Sequence, residues 1–215
     1  YNRFLIDQVK TAAQGSKRAL DFGAGLGAFA TVLRESQIDV TTVETDPELQ
    51  NRLRALGFEV GNRLDDLKGQ NYDLIYSLNV LEHIEDDEGI LREFAKAMSP
   101  QGRLYLYVPA FQMLWTSMDT KVKHVRRYTR GELEEKLRRA GFKIERSQYC
   151  DAIGFLATLA YKLIGNSKGN INLKSLKLFD RFLFPLNSVL DPIFKNILGK
   201  NVQIVGRLAA PAKSQ

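Results

Sequence analysis

Asp21, Gly23, Gly25 and Gly27, inside the stretch RALDFGAGLGAFA from Arg18 to Ala30, are the residues whose types and spacing most directly imply chemistry. Glycines at alternate positions let a tight turn pass straight from a strand into a helix. They also bring bare backbone up to a ligand, because glycine accepts positive φ and has no Cβ to hold the ligand away. Gly23, Gly25 and Ala28 satisfy the relaxed dinucleotide pattern G-x-G-x-x-G/A as well. Asp21 separates the two readings. Its carboxylate would repel a pyrophosphate, but it can pair, directly or through water, with an ammonium or sulfonium. A cationic nucleoside is therefore the better guest of a turn formed by Gly23, Ala24, Gly25 and Gly27.

Such a turn needs a strand before it and a helix after it. Ala19, Leu20 and Phe22 read as the end of a buried strand, and Phe29, Val32 and Leu33 continue a helix to about Ser36. Val40 to Val43 reads as a second strand ending in Glu44, with Thr45 beside it. An acid about twenty residues past the glycines can accept both hydroxyls of an adenosine ribose. Asp46-Pro47 is an N-cap with proline at the first helical position, starting a helix through Leu56. Phe58 to Val60, Tyr72 to Ser77, Arg103 to Val108, Phe142 to Tyr149 and Asn201 to Leu208 follow as strands. Helices are expected over Asp86 to Met98 and Gly131 to Ala140, and Ser99 to Gly102 reads as a turn. The first helix, Tyr1 to Ala13, is expected to cross the sheet edge or to lid the cofactor.

The run DFGAGLG resembles the nucleotide-binding motif of class I S-adenosylmethionine-dependent methyltransferases. YDLIYSLNVLEHI, from Tyr72 to Ile84, resembles the second signature of that family, and MSPQGRLYLYVPA, from Met98 to Ala110, resembles a third. Three phrases in the right order at the right intervals are far more specific than any one. The resemblance implies an α/β, Rossmann-like, doubly wound sheet of seven strands in the order 3-2-1-4-5-7-6, with strand 7 antiparallel. It implies S-adenosylmethionine as cofactor and S-adenosylhomocysteine as product. Within the family the chain is similar to the small-molecule group that includes the ubiquinone-biosynthesis enzymes.

By the same resemblance, Ser77, Leu78 and Asn79 line the methionine part of the cofactor, and Asn62, Leu64 and Asp65 are candidate adenine neighbours. Arg63 stands where many relatives have aspartate. Glu82 and His83 lie where the transferred methyl should emerge. An imidazole titrates near neutrality, so His83 is a candidate general base, with a capping role as its alternative.

After Pro109 the chain departs from a minimal core. Phe111, Met113, Leu114, Trp115 and Met118 make an apolar cluster, followed by the basic run Lys121 to Arg130. Trp115 is a candidate wall of an acceptor pocket, Arg126 and Arg127 candidate anchors for phosphate or carboxylate, and His124 and Tyr128 candidates to orient or deprotonate a nucleophile. The alternative is a solvated basic loop. Asp151 to Lys200, between strands 6 and 7, is expected as a helical insert. It carries Leu163 and Leu176 among its apolar residues and Lys162, Lys168, Lys174 and Lys177 among its cations. Such a segment can cap the substrate, form a dimer interface or lie on an anionic membrane.

With 215 residues, 44% of them hydrophobic and 26% charged, the chain reads as one globular domain, 1–215, with 151–200 inserted. No apolar run reaches the roughly 18 residues that span a bilayer. No signal-peptide pattern is visible, and the Tyr1 start leaves a trimmed N-terminus open. One cysteine and two histidines at no usual ligand spacing give no reason to expect a metal. The expectation is a cytoplasmic, membrane-peripheral where needed, monomeric or homodimeric methyltransferase acting on a small or lipid-linked, in part anionic acceptor. A nucleic-acid methyltransferase, its basic segments holding phosphates, is the second reading; the net charge of +6 suits an anionic substrate, a membrane surface or nucleic acid alike. The missing Asn-Pro-Pro-Tyr-like tetrapeptide after strand four counts against it. A non-catalytic cofactor-binding protein is the third.

Overall fold

The computed structural model describes residues 1–67, 71–164 and 179–209. Lys168, Lys174, Leu176 and Lys177 of the insert, together with Lys68 and residues 211–215, lie outside them. Strands β1 (Arg18–Phe22), β2 (Asp39–Val43), β3 (Glu59–Gly61), β4 (Tyr72–Leu78), β5 (Met98–Pro109), β6 (Phe142–Cys150) and β7 (Asn201–Leu208) form one sheet. Its order is β3-β2-β1-β4-β5-β7-β6. The first five strands run parallel, and β7 lies antiparallel between β5 and β6. Strand order and direction are those the resemblance implies.

The central strands are apolar on both faces because helices cover both. Along β5, Leu104, Leu106 and Val108 enter one core while Tyr105 and Tyr107 enter the other; β4 divides Ile75 from Leu74 and Tyr76 in the same way. The first core is covered by Leu91 and Phe94 of α4 (Asp87–Ala97) and, beyond the short α5 (Ser117–Lys121), by Leu133 and Leu137 of α6 (Arg130–Arg139). The second is covered by Leu5 and Val9 of α1 (Asn2–Ala12), Ala30 and Leu33 of α2 (Ala28–Glu35) and Leu53 of α3 (Pro47–Ala55).

Two local expectations are corrected. Helix α1 packs on the sheet face beside α2 and β5 rather than across the sheet edge, because Leu5, Val9 and Ala12 recur at helical spacing and are buried together. Residues 99–102, expected as a turn between helix and strand, fall within β5 as an irregularity. Pairing passes from Tyr72 with Met98 to Leu74 with Arg103.

The part of the insert that is described contains α7 (Ala152–Ile164) and α8 (Asn187–Phe194). A polar clasp joins them. Asn187 Nδ2 donates to Asp151 Oδ1 at 2.7 Å, and Asp191 accepts from the Asp151 and Ala152 N–H groups. Among the described residues no helix is long and apolar enough to cross a membrane.

Candidate active site

The order of the sheet reverses between β1 and β4, so a crevice opens beyond their carboxyl ends. The glycine turn fills one side of it. Gly23 has φ +83°, and a Cβ there would run into the Val80 side chain that follows β4. The two halves of the crevice therefore touch at a position only glycine can occupy. Gly25 differs: its φ is +55°, yet a Cβ would meet nothing within 4 Å. Bare backbone faces open space there, which is the cradle a bound nucleoside requires. Gly27 is the N-cap of α2.

The Glu44 carboxylate brackets this cradle. Its Oε2 accepts the Gly25 N–H at 2.8 Å and its Oε1 accepts the Thr45 and Asp46 N–H groups at 2.8 and 3.0 Å. Ala24 is tied to β2 through its N–H on the Val43 carbonyl. Gln50 Nε2 donates to the Glu44 carbonyl and to Asn62 Oδ1, which brings Asn62 to the same end of the sheet. Asp66 accepts the Asn62 and Arg63 N–H groups and orders the loop. Of the three candidate adenine neighbours, Asn62 and Asp65 present exposed side chains, whereas the Leu64 side chain is buried with Leu20 and Val43.

Asp21 is 3% exposed, and its Oδ2 has no hydrogen-bond partner. Burial lifts its pKa to about 7; the neighbouring Tyr76 phenol and Ala30 N–H oppose the rise, and Glu44 adds to it. A buried carboxyl with one oxygen unpartnered beside the turn suits a cationic guest. Ser77 is buried, Leu78 half-buried and Asn79 exposed, with φ +55° and its N–H on the Tyr107 carbonyl. Tyr1, which sequence reasoning missed, meets Tyr107 edge-on with the ring centroids 6.3 Å apart. Together these residues fit the adenosine, ribose and methionine parts of S-adenosylmethionine.

The acceptor side is a strap, residues 111–130, laid across the 81–87 turn. The Val125 N–H donates to the Glu82 carbonyl at 2.8 Å, and Arg126 Nη2 donates to the Glu85 carbonyl at 2.7 Å. Phe111 stacks on Tyr149 and meets Phe155 of α7 edge-on, while Lys162 donates to the Met113 carbonyl. The strap and the insert are thus in contact, on the sheet's ligand side.

Three residues expected there to meet an acceptor are otherwise occupied. Arg127, with 6% side-chain exposure, grips Asp119 through Nε and Nη2 at 2.7 and 3.0 Å and donates to the Ala110 carbonyl. Arg126 pairs with Asp87 at 3.0 Å. Tyr128 is 1% exposed and its hydroxyl donates to Asp87 Oδ2 at 2.9 Å; burial and the adjacent carboxylate push that phenol up, away from any base role. The cause is pairing with acids: Asp119, within the strap itself, consumes Arg127, and Asp87, distant in sequence, consumes Arg126 and Tyr128. Asp119, the centre of the strap, was missed, although Thr116-x-x-Asp119 has the spacing of a capping box, and the structure contains that box.

Trp115, His124 and His83 remain at the acceptor end. The two imidazoles lie 4.7 Å apart edge-on, and the Trp115 ring lies 6.4 Å from His124. His124 Nδ1 is 2.8 Å from Asp119 Oδ1 and its Nε2 is 3.7 Å from Glu82 Oε1. Desolvation and the adjacent His124 ring hold His83 below the usual imidazole range. Glu82 is fully buried and both of its carboxylate oxygens lack partners; burial raises its pKa to about 8. Glu82, His83 and His124 each place one ligand atom within 4.8 Å of the others. Sequence spacing gave no reason to expect that grouping. A cleft of about 440 Å³ between α1, α8 and the β6–β7 edge contains none of the expected site residues.

The profile of the family described as Methyltransferase domain matches residues 1–147. The ubiquinone biosynthesis O-methyltransferase of Idiomarina loihiensis is 27% identical over 99 residues, 41% of each chain. That of Xylella fastidiosa is 29% identical over 116 residues, 49% of this chain and 47% of the relative. The matches span less than half the length of these curated relatives. The crystal structure of an S-adenosylmethionine-dependent methyltransferase from Mesorhizobium loti superposes with a TM-score of 0.63 at 19% identity, covering 94% of this chain and 96% of the other. With the glycine cradle, the switch-point crevice and the strand order in agreement, the chain belongs to the methyltransferase domain family, in its class I S-adenosylmethionine-dependent form.

Proposed function

We propose that this protein transfers a methyl group from S-adenosylmethionine to a small or lipid-linked acceptor held under the 111–130 strap. The carrying observation is the Gly25 cradle, open to solvent on its ligand side and bracketed by Asp21 and Glu44. When bound, the sulfonium supplies an activated methyl group. Glu44 would hold the ribose, Asp21 the cationic end, and Asn62 or Asp65 the adenine edge. His83 and His124 would orient the nucleophile or take its proton. The nucleophile's lone pair forms the new bond to carbon while the carbon–sulfur pair stays on sulfur, so positioning is the main task of the protein.

The lipid-linked form of this reading has its own support. Phe182, Leu183, Leu186, Val189, Ile193 and Ile197 are 45–66% exposed, in a segment that also carries Arg181, Lys195 and Lys200. Apolar residues interleaved with cations suit peripheral contact with an anionic membrane. Incubation with labelled S-adenosylmethionine and a fractionated extract, with mass analysis of the product, tests the whole reading. A labelled small molecule or lipid supports it. Labelled RNA would move the assignment to nucleic acid, and tight cofactor binding without any labelled product would favour a non-catalytic role.

A further inference from the structure

Glu82 poses a physical problem that methyl transfer alone does not solve. It is 0% exposed, and neither carboxylate oxygen has a hydrogen-bond partner. Burying a carboxylate without compensation is costly, so a partner is missing. Arg127 does not supply it, because its guanidinium is committed to Asp119 and Ala110. What does face Glu82 is His124 Nε2, at 3.7 Å from Oε1, and His83 completes a set of three ligand atoms lying within 4.8 Å of one another. Two ligands about 2.1 Å from a tetrahedral ion lie roughly 3.4 Å apart. Glu82 and His124 are already near that separation.

We propose that Glu82, His83 and His124 bind one divalent cation of the zinc class at the acceptor end of the crevice, leaving a coordination position open to an acceptor oxygen. The donor set decides the class: two imidazoles and one carboxylate suit zinc, cobalt, nickel or iron(II) better than magnesium or calcium. Three protein ligands with a fourth position open is the arrangement of catalytic rather than structural zinc. The supporting contacts are present as well. His124 Nδ1 faces the Asp119 carboxylate at 2.8 Å, which turns Nε2 toward Glu82 as the lone-pair nitrogen. Asp119 is in turn fixed by Arg127 and by the Thr116 N–H and hydroxyl. A carboxylate behind a ligating imidazole sets its tautomer and raises its basicity. His83 is exposed and gives the ion a route in. Val80 touches Gly23 two residues before Glu82, so the ion would sit next to the cofactor cradle. Holding an acceptor oxygen there rests on the methyl-transfer reading; binding the ion does not.

Protein stripped with chelator is dialysed against micromolar Zn²⁺ or Co²⁺ and its metal content is measured, with S-adenosylhomocysteine affinity determined by calorimetry on the same samples. One equivalent of metal, a visible Co²⁺ absorption band, and affinity reduced more than ~100-fold in His83→Ala and in His124→Ala support the site. His83 is exposed, so its replacement leaves the fold testable; an unchanged melting temperature checks this. Less than a tenth of an equivalent bound, or a full equivalent retained by the double variant His83→Ala/His124→Ala, overturns the site. Cofactor affinity that persists in either outcome leaves the methyl-transfer reading standing, and its absence would sink that reading separately.

Discussion

The Glu44 carboxylate accepts the Gly25 N–H across 2.8 Å, joining the end of β2 to the turn that follows β1. The acid expected to hold a ribose thus already faces the cradle. Glu44→Ala should weaken S-adenosylhomocysteine binding by roughly 1.5–3 kcal/mol, about 10- to 150-fold, through the loss of charge-assisted hydrogen bonds. Calorimetry checks this, and unchanged affinity would remove Glu44 from the ribose role.

The glycines of the turn should separate experimentally. Gly23→Ala places a Cβ against Val80 at φ +83°, and should cost about 2–5 kcal/mol of stability from backbone strain and overpacking together. Gly25→Ala meets no protein atom and should cost only the ~1–2 kcal/mol of strain, while cofactor binding falls. Urea unfolding paired with calorimetry distinguishes the two; equal stability losses would contradict the geometry.

Arg127→Ala should act mainly on stability. Its guanidinium and Asp119 form a buried pair, with 6% and 1% side-chain exposure, and removing one partner of such a pair costs about 3–5 kcal/mol. A variant of wild-type stability with a raised KM would instead restore Arg127 as a free anchor.

Asp87 ties the strap to α4 and α6 by accepting from Tyr128 and Lys136 and pairing with Arg126. Burial raises its pKa, but these partners outweigh burial and hold the carboxyl below its ordinary value. A depressed acid contributes stability that is complete above its unfolded pKa, about 3.9, and is lost as pH falls through the lower folded value. Asp87→Asn should therefore be less stable than wild type at pH 6, with the gap closing below about pH 4. Unfolding curves across that range check the sign.

The apolar and cationic residues of the insert should bind the protein to vesicles containing phosphatidylglycerol and leave it free of purely zwitterionic ones. Replacing Val189 and Ile193 by Ser should abolish co-sedimentation without loss of fold, since these residues are 64% and 63% exposed. Co-sedimentation that survives those changes would remove this face from membrane contact.

The parts legible in the sequence are those written in short-range pattern. Gly23, Gly25 and Glu44 show themselves by spacing because a strand–turn–helix unit is local, and the apolar runs of β4 and β5 show themselves because both of their faces are covered. The three phrases likewise carried the strand order and the cofactor. The acceptor side was not legible in this way. Arg126, Arg127 and Tyr128 read as free cations and a free phenol in sequence; the path of the strap across the 81–87 turn brings Asp87 to Arg126 and Tyr128, and the fold of the strap on itself brings Asp119 to Arg127. Glu82 and His83 stand 41 or more residues from His124, and no periodicity links positions that far apart. Tertiary packing alone decides which charges meet there, because burial makes pairing obligatory and the chain's route chooses the partner.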